Sequence, residues 1–151
     1  MDYSAITLSN YKIIHDWSIY GTPIYTGTDI TADSVYSYSS GIVLAIGTDS
    51  TNTYCITVQY DVFNVFRYGH LKSVSIGAGA VIQEGTLLGK ADRFVRFEYA
   101  TKEQNSSKWP VRVGTETYWK QNPSSIQITP PAPTEITGPD TNKELLDGKG
   151  E

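Results

Sequence analysis

Residues 66–98, FRYGHLKSVSIGAGAVIQEGTLLGKADRFVRFE, decide the fold class. Phe66, Tyr68 and His70 alternate with Arg67 and Gly69, a period of two that predicts a strand with both aromatics and the histidine on one face. His70 is thereby expected to face a core or a cleft. Val74 and Ile76 run into Gly77-Ala78-Gly79, Val81-Ile82 into Gln83-Glu84-Gly85, and Leu87-Leu88 into Gly89. Paired aliphatics between turn glycines predict very short strands in an all-β core. In the closing segment Phe94, Arg96 and Glu98 fall on one face and Val95 and Phe97 on the other, so the charged face needs water or partners.

Working outward, the same punctuation continues upstream. Tyr11 to Ile14 predicts a short strand, Tyr20-Gly21-Thr22-Pro23 a turn, and Val35 to Tyr38, Ile42 to Ile46 and Tyr54 to Tyr60 further strands joined by hairpin turns. No helical period stands out before Asn105. Downstream, Thr101 to Lys108 predicts a polar loop and Trp109 to Val113 a strand. Thr115 to Lys120 predicts one amphipathic turn broken by Asn122-Pro123. From Thr129 the character changes to ITPPAPTEITGPDTNKELLDGKGE, read from Ile128, where five acids against two lysines contribute −3 of the chain's −4. Proline density and few apolar residues predict a linker or terminal arm, which divides the chain into a β domain, 1–128, and a Pro-rich acidic arm, 129–151.

Composition narrows the function. The 151 residues suit one domain with a substantial core, and an acidic chain without a basic run lacks the footprint of a nucleic-acid binder. Cys55 is the single cysteine, which excludes an internal disulfide and predicts a small packed side chain rather than a nucleophile. No apolar stretch reaches the roughly 20 residues of a membrane span, and the first residues do not read as an export signal. His15 has no metal-ligand spacing to His70, the other histidine, and is expected to be a surface residue.

One set of short motifs is co-linear over about residues 19 to 126. It comprises Tyr20-Gly21, Gly27-Thr28-Asp29-Ile30, Ser40-Gly41-Ile42-Val43, Tyr68-Gly69-His70-Leu71, Gly85-Thr86-Leu87-Leu88-Gly89, Arg96-Phe97-Glu98 and Asn122-Pro123. In this order the chain resembles the lysostaphin/LytM family of zinc endopeptidases. The resemblance implies an antiparallel β architecture, barrel-sandwich-like, lining a groove, and an ancestry in cutting bacterial cell-wall peptides. It also implies where a zinc site would sit, and there the residues depart. The family's His-x-Gly-x-Asp motif matches at Asp29, but Tyr25 stands at its histidine. The His-x-His-Phe-Glu strand matches at Phe97 and Glu98, but Phe94 and Arg96 stand at its histidines, with Lys90-Ala91-Asp92-Arg93 read as a shortened loop before it. Only Asp29 and His70 of the family's site remain.

A catalytic zinc needs about three protein ligands and one open position. A phenol is a poor ligand at neutral pH and a guanidinium cannot coordinate, so the sequence predicts no metal, no cofactor and no catalytic residues. A vestigial groove of Tyr25, Asp29, His70, Phe94 and Arg96 is expected in their place, with Arg96 facing Asp29 as substitute cation. A biotinyl or lipoyl carrier would need Lys72 or Lys90 at a hairpin tip. A hydrolytic triad would need Asp29, His70 and Ser73 to converge. The expected function is a pseudoenzyme serving as a structural or binding module, with other subunits of an assembly as partners and peptidoglycan as a further ligand. A phage virion, in its tail or baseplate, is the expected setting. The alternatives are a bacterial cell-envelope scaffold or wall-binding domain, and a residually active hydrolase.

Overall fold

The computed structural model describes residues 2–49, 51–104 and 107–128; the arm expected over 129–151 lies outside them. A single helical turn, α1 (Ser4–Thr7), precedes β1 (Ile13–His15), β2 (Thr28–Thr31), β3 (Ser34–Tyr36), β4 (Gly41–Thr48) and β5 (Tyr54–Gln59). Then follow β6 (Asn64–Val74), β7 (Val81–Ile82), β8 (Leu87–Thr101), β9 (Pro110–Val113) and β10 (Glu116–Gln121), with a 3-10 turn at Pro123–Ser125. All pairings are antiparallel, and the sheet runs β1-β2-β8-β6-β5-β4-β7 between two free edges, so it is open rather than closed as a barrel.

β8 is the axis. One of its sides pairs with β6 from Asn64↔Thr101 to Val74↔Gly89. Its other side is shared in turn by β3 at residues 87–90, β2 at residues 94–97 and β10 at residues 99–101. The strands around it are long, 11 residues in β6 and 15 in β8, where short ones were expected. The segment Lys90-Ala91-Asp92-Arg93 is part of β8 and not a loop before it; Arg93, at φ +76, marks the irregularity that a sequence reading takes for a loop.

Period two holds along the axis. Phe66, Tyr68, Val95, Phe97 and Tyr99 point into the main core with Ile30, Ile56 and Val58, and their rings form one aromatic cluster. Phe97 meets Tyr3, Tyr38, Phe66 and Tyr68 at centroid distances of 5.4–6.0 Å. Such pairs contribute about 0.5–1.5 kcal/mol each beyond area burial, so Phe97 is where the fold concentrates its packing. Burial also raises the phenol pKa of Tyr68, and pushes that of Tyr99 up to about 12.

His70 breaks the alternation. The register slips between Gly69 and Leu71 and His70 takes φ +66, so Leu71 rather than His70 continues the core face. A bulge of this kind re-aims one side chain, and its position is set by the partner strand. Two other expectations are corrected. Thr115 to Lys120 is not a helical turn but most of β10, hairpinned to β9 through Gly114-Thr115 with Gly114 at φ +64. A helix does occur before Asn105, the one turn of α1, closed by Leu8 in the left-handed region. The strand expected over Tyr11 to Ile14 runs instead from Ile13 to His15, as β1. A smaller apolar cluster of Val65, Ala100 and Tyr118 sits under the β9–β10 hairpin. Among the described residues no helix is long and apolar enough to cross a membrane.

Candidate functional site

The face of β2, β6 and β8 opposite the aromatic core carries the charges. Gly27 admits β2 to this position: a Cβ there would lie 2.8 Å from Glu98 Cγ and 2.9 Å from the Phe97 carbonyl. The next two residues then register as Thr28↔Phe97 and Asp29↔Arg96. Thr28 turns to the core, where its hydroxyl meets Tyr3, and Asp29 turns to the charged face.

Asp29 is only 2 % exposed and Arg96 46 % exposed. Arg96 donates from Nε to Oδ1 at 2.8 Å and from Nη2 to Oδ2 at 3.0 Å, a bidentate pair that uses both carboxylate oxygens. A buried carboxylate without a counter-charge is costly, and the planar fork relieves that cost with geometry a lysine lacks. The Asp29 hydrogen bonds in turn raise the Arg96 pKa, so the guanidinium stays charged.

Two stacked ring pairs flank this ion pair. Phe94 lies on His70 with centroids 3.8 Å apart and planes 11° from parallel, the Phe94 carbonyl is 3.3 Å from His70 Nδ1, and the Arg96 guanidinium carbon is 5.8 Å from the Phe94 ring centre. Tyr25 lies on His15 at 4.4 Å and 10°. The five residues named from sequence thus sit around the β2–β8 pairing, Tyr25 just ahead of β2.

Two members of this face, His15 and Lys120, were missed. His15 is exposed, as expected, but β1 places it opposite Asp29 in register, a relation invisible without the edge pairing. Glu98, buried one register step beyond Arg96, is held by Arg67 Nη1 at 2.8 Å and Lys120 Nζ at 2.7 Å. Lys120 reaches it because β10 is a strand. The signal was present in Val111-Arg112-Val113-Gly114-Thr115-Glu116-Thr117-Tyr118, an alternating pair of runs around a two-residue turn.

The resemblance to zinc endopeptidases implies zinc, and the residues in place do not fit it. Both oxygens of Asp29 are engaged by a cation, Arg96 adds positive charge where an ion would lie, and Tyr25 and Phe94 offer rings already stacked. Among the described residues no three His, Cys, Asp or Glu side chains gather as a metal-holding group. The other constellations do not assemble either. Ser73 registers with Lys90 while Asp29 is committed to Arg96, which leaves no triad, and Lys72 and Lys90 lie within strands rather than at a hairpin tip.

The architecture is shared by solved structures of low sequence identity. The catalytic domain of the prophage-encoded M23 protein EnpA from Enterococcus faecalis superposes with TM-score 0.58 at 16% identity, over 78% of this chain and 92% of that one. The fold is that of the lysostaphin/LytM peptidases. Lysostaphin from Staphylococcus simulans matches with TM-score 0.59 at 17% identity, over 80% of this chain and 51% of its own, so this chain spans about half of lysostaphin's length. A chain of the SpoIIIAH–SpoIIQ complex matches with TM-score 0.58 at 16% identity, over 80% of this chain and 95% of that one. No family model and no curated protein matches by sequence. The LytM-type fold is therefore carried by strand order and core pattern at low identity. In it, Asp29 and Arg96 stand opposite one another in the β2–β8 register.

Proposed function

We propose that this chain is a non-catalytic lysostaphin/LytM-type domain that works as a structural or binding module of an assembly, in the tail or baseplate of a phage virion. The observation that carries this reading is the bidentate clamp of Arg96 on the buried Asp29. A hydrolytic zinc would have to displace a guanidinium from both oxygens and then find two more ligands, and the rings of Tyr25 and Phe94 supply none. Two similar folds support the setting: one is a prophage-encoded M23 protein, and another is found in a protein–protein complex.

A groove can outlast its chemistry as a recognition surface, so the second reading is a wall-binding module. It is favoured by the polar face itself, where Arg67, Lys120 and Arg96 outnumber Glu98 and Asp29. Purified protein should then sediment with cross-linked peptidoglycan, whereas an assembly part alone should stay in the supernatant. Mass spectrometry of purified virions from a producing host should find the chain at fixed stoichiometry to tail proteins. Its absence from particles would remove the virion reading and leave the cell-envelope alternative.

A further inference from the structure

A second concavity lies outside the charged face. Trp17, Ile19 and Tyr20 of the segment between β1 and β2 face Trp109, Gln121 and Asn122 at the β9–β10 end, around a cleft of about 590 Å³. That volume falls within the roughly 300–1,000 Å³ typical of ligand sites. Tyr20, which lines the cleft, is 96% exposed and so open to a partner. Among the described residues the hydrogen bonds of Trp17 and Trp109 are made by backbone atoms, Trp17 N–H donating to Asp16 Oδ1, Trp109 N–H to Ser107 Oγ and Lys120 N–H to the Trp109 carbonyl, and the indole N–H groups are open to a ligand. Two indoles and a phenol around a shallow cleft match one ligand chemistry well. A polyproline segment has flat rings to stack on aromatics, and its carbonyls, unpaired within the helix, accept from indole donors.

This chain carries such a segment. Thr129-Pro130-Pro131-Ala132-Pro133-Thr134 follows the last described residue, Ile128, and at roughly 3.1 Å per residue it would span about 19 Å. We infer that the Trp17–Tyr20–Trp109 cleft receives the 129–134 segment of a second copy of this chain. Docking onto its own cleft is disfavoured by the path. Ser125 lines the cleft, but Ile126 and Ile128 pack on the main core, so the chain has left the cleft before the prolines begin. A return would need a reversal at Thr129-Pro130-Pro131, a sequence that disfavours one, because proline fixes its own φ and steers the residue before it away from the helical region. The acidic residues beyond, from Glu135, would then pass the exposed Lys108 beside Trp109. The contact is head-to-tail, so it links copies in series and closes only if the geometry forms a ring. It deepens the assembly reading and is independent of whether the zinc site is lost.

Sedimentation velocity on the full chain over a hundredfold concentration range tests it. Self-association is expected, weakened at least tenfold by Trp109→Ala, by Tyr20→Ser, and by the double change Pro130→Ser, Pro131→Ser. Tyr20 is so exposed that its replacement cannot unfold the domain, which guards against a folding artefact at Trp109. Mixing Tyr20→Ser with the proline variant should restore association as pairs, because one partner keeps an intact cleft and the other an intact segment. A chain that stays monomeric throughout, variants that associate like the parent, or a mixture that fails to pair would each overturn the inference.

Discussion

The two faces of β8 are built from one strand and follow different logic. Toward the core, Val95, Phe97 and Tyr99 pack with Ile30, Phe66, Tyr68 and Tyr38 in one apolar cluster, to which two phenols add specific hydrogen bonds, Tyr68 accepting from Tyr38 N–H and Tyr99 donating to Asn64 Oδ1. Toward the other face, Phe94, Arg96 and Glu98 are each matched to one specific partner, His70, Asp29, and the Arg67–Lys120 pair. The core face tolerates variation in detail and fails by loss of volume. The charged face fails by leaving one buried charge alone. Sequence periodicity reads the first kind of organisation directly, because it depends on each residue's own character. The second depends on which residues of β2, β6 and β10 stand opposite, and that is a property of register.

The contrast predicts a hierarchy of costs. Phe97→Ala, removing a fully buried ring from the centre of the cluster, should destabilise the fold by about 3–5 kcal/mol in chemical denaturation. A loss under about 1 kcal/mol would show that the cluster is loosely packed. Arg96→Ala strands a carboxylate that is 2 % exposed, but water can reach the space left by a half-exposed arginine, so about 2 kcal/mol is expected. Removing both charges with Asp29→Asn in the Arg96→Ala background should recover part of this, since the cost is the unpaired charge rather than a missing contact. A double variant as unstable as the sum of the singles would break that account.

At high pH the core face responds. Burial raises the Tyr99 phenol from its ordinary 10 to about 12, so its contribution to stability is complete below pH about 10 and is lost as pH rises toward 12. Tyr3, Tyr38 and Tyr68 are shifted in the same direction by burial. The melting temperature should fall across that window, and ultraviolet titration should show a late-ionising group of tyrosines. All tyrosines titrating together near pH 10 in the folded protein would contradict it. The smallest effect concerns Cys55, half-buried on β5, whose thiol pKa burial pushes up. Alkylation at pH 8 should be slower than for a free thiol, and should reach the unfolded rate in denaturant.

How much of this was legible beforehand differs by face. Val95 and Phe97 against Arg96 and Glu98 followed from alternation alone, and the aromatic core followed with them. The Asp29–Arg96 facing was reached only through the resemblance, since 67 residues separate the two and no periodicity connects them. Alternation put His70 on the face of Phe66 and Tyr68 while the resemblance put it in the groove beside Phe94, where it lies, because a bulge between Gly69 and Leu71 is decided by β8 and nothing local announces it. His15 and Lys120 escaped for a related reason. The short strand beside His15 was read but its pairing with β2 was not, and β10 was taken for one amphipathic turn ended by Asn122-Pro123.

The central claim is that Arg96 has replaced the metal rather than accompanied it. Its most direct test is to incubate the full chain with zinc and cross-linked peptidoglycan and count the new amino termini. No release above the protein-free control, with or without chelator, and no stoichiometric zinc on the dialysed protein are the predicted results. Release that depends on zinc and is abolished by chelator would contradict the account at Asp29 and Arg96 together.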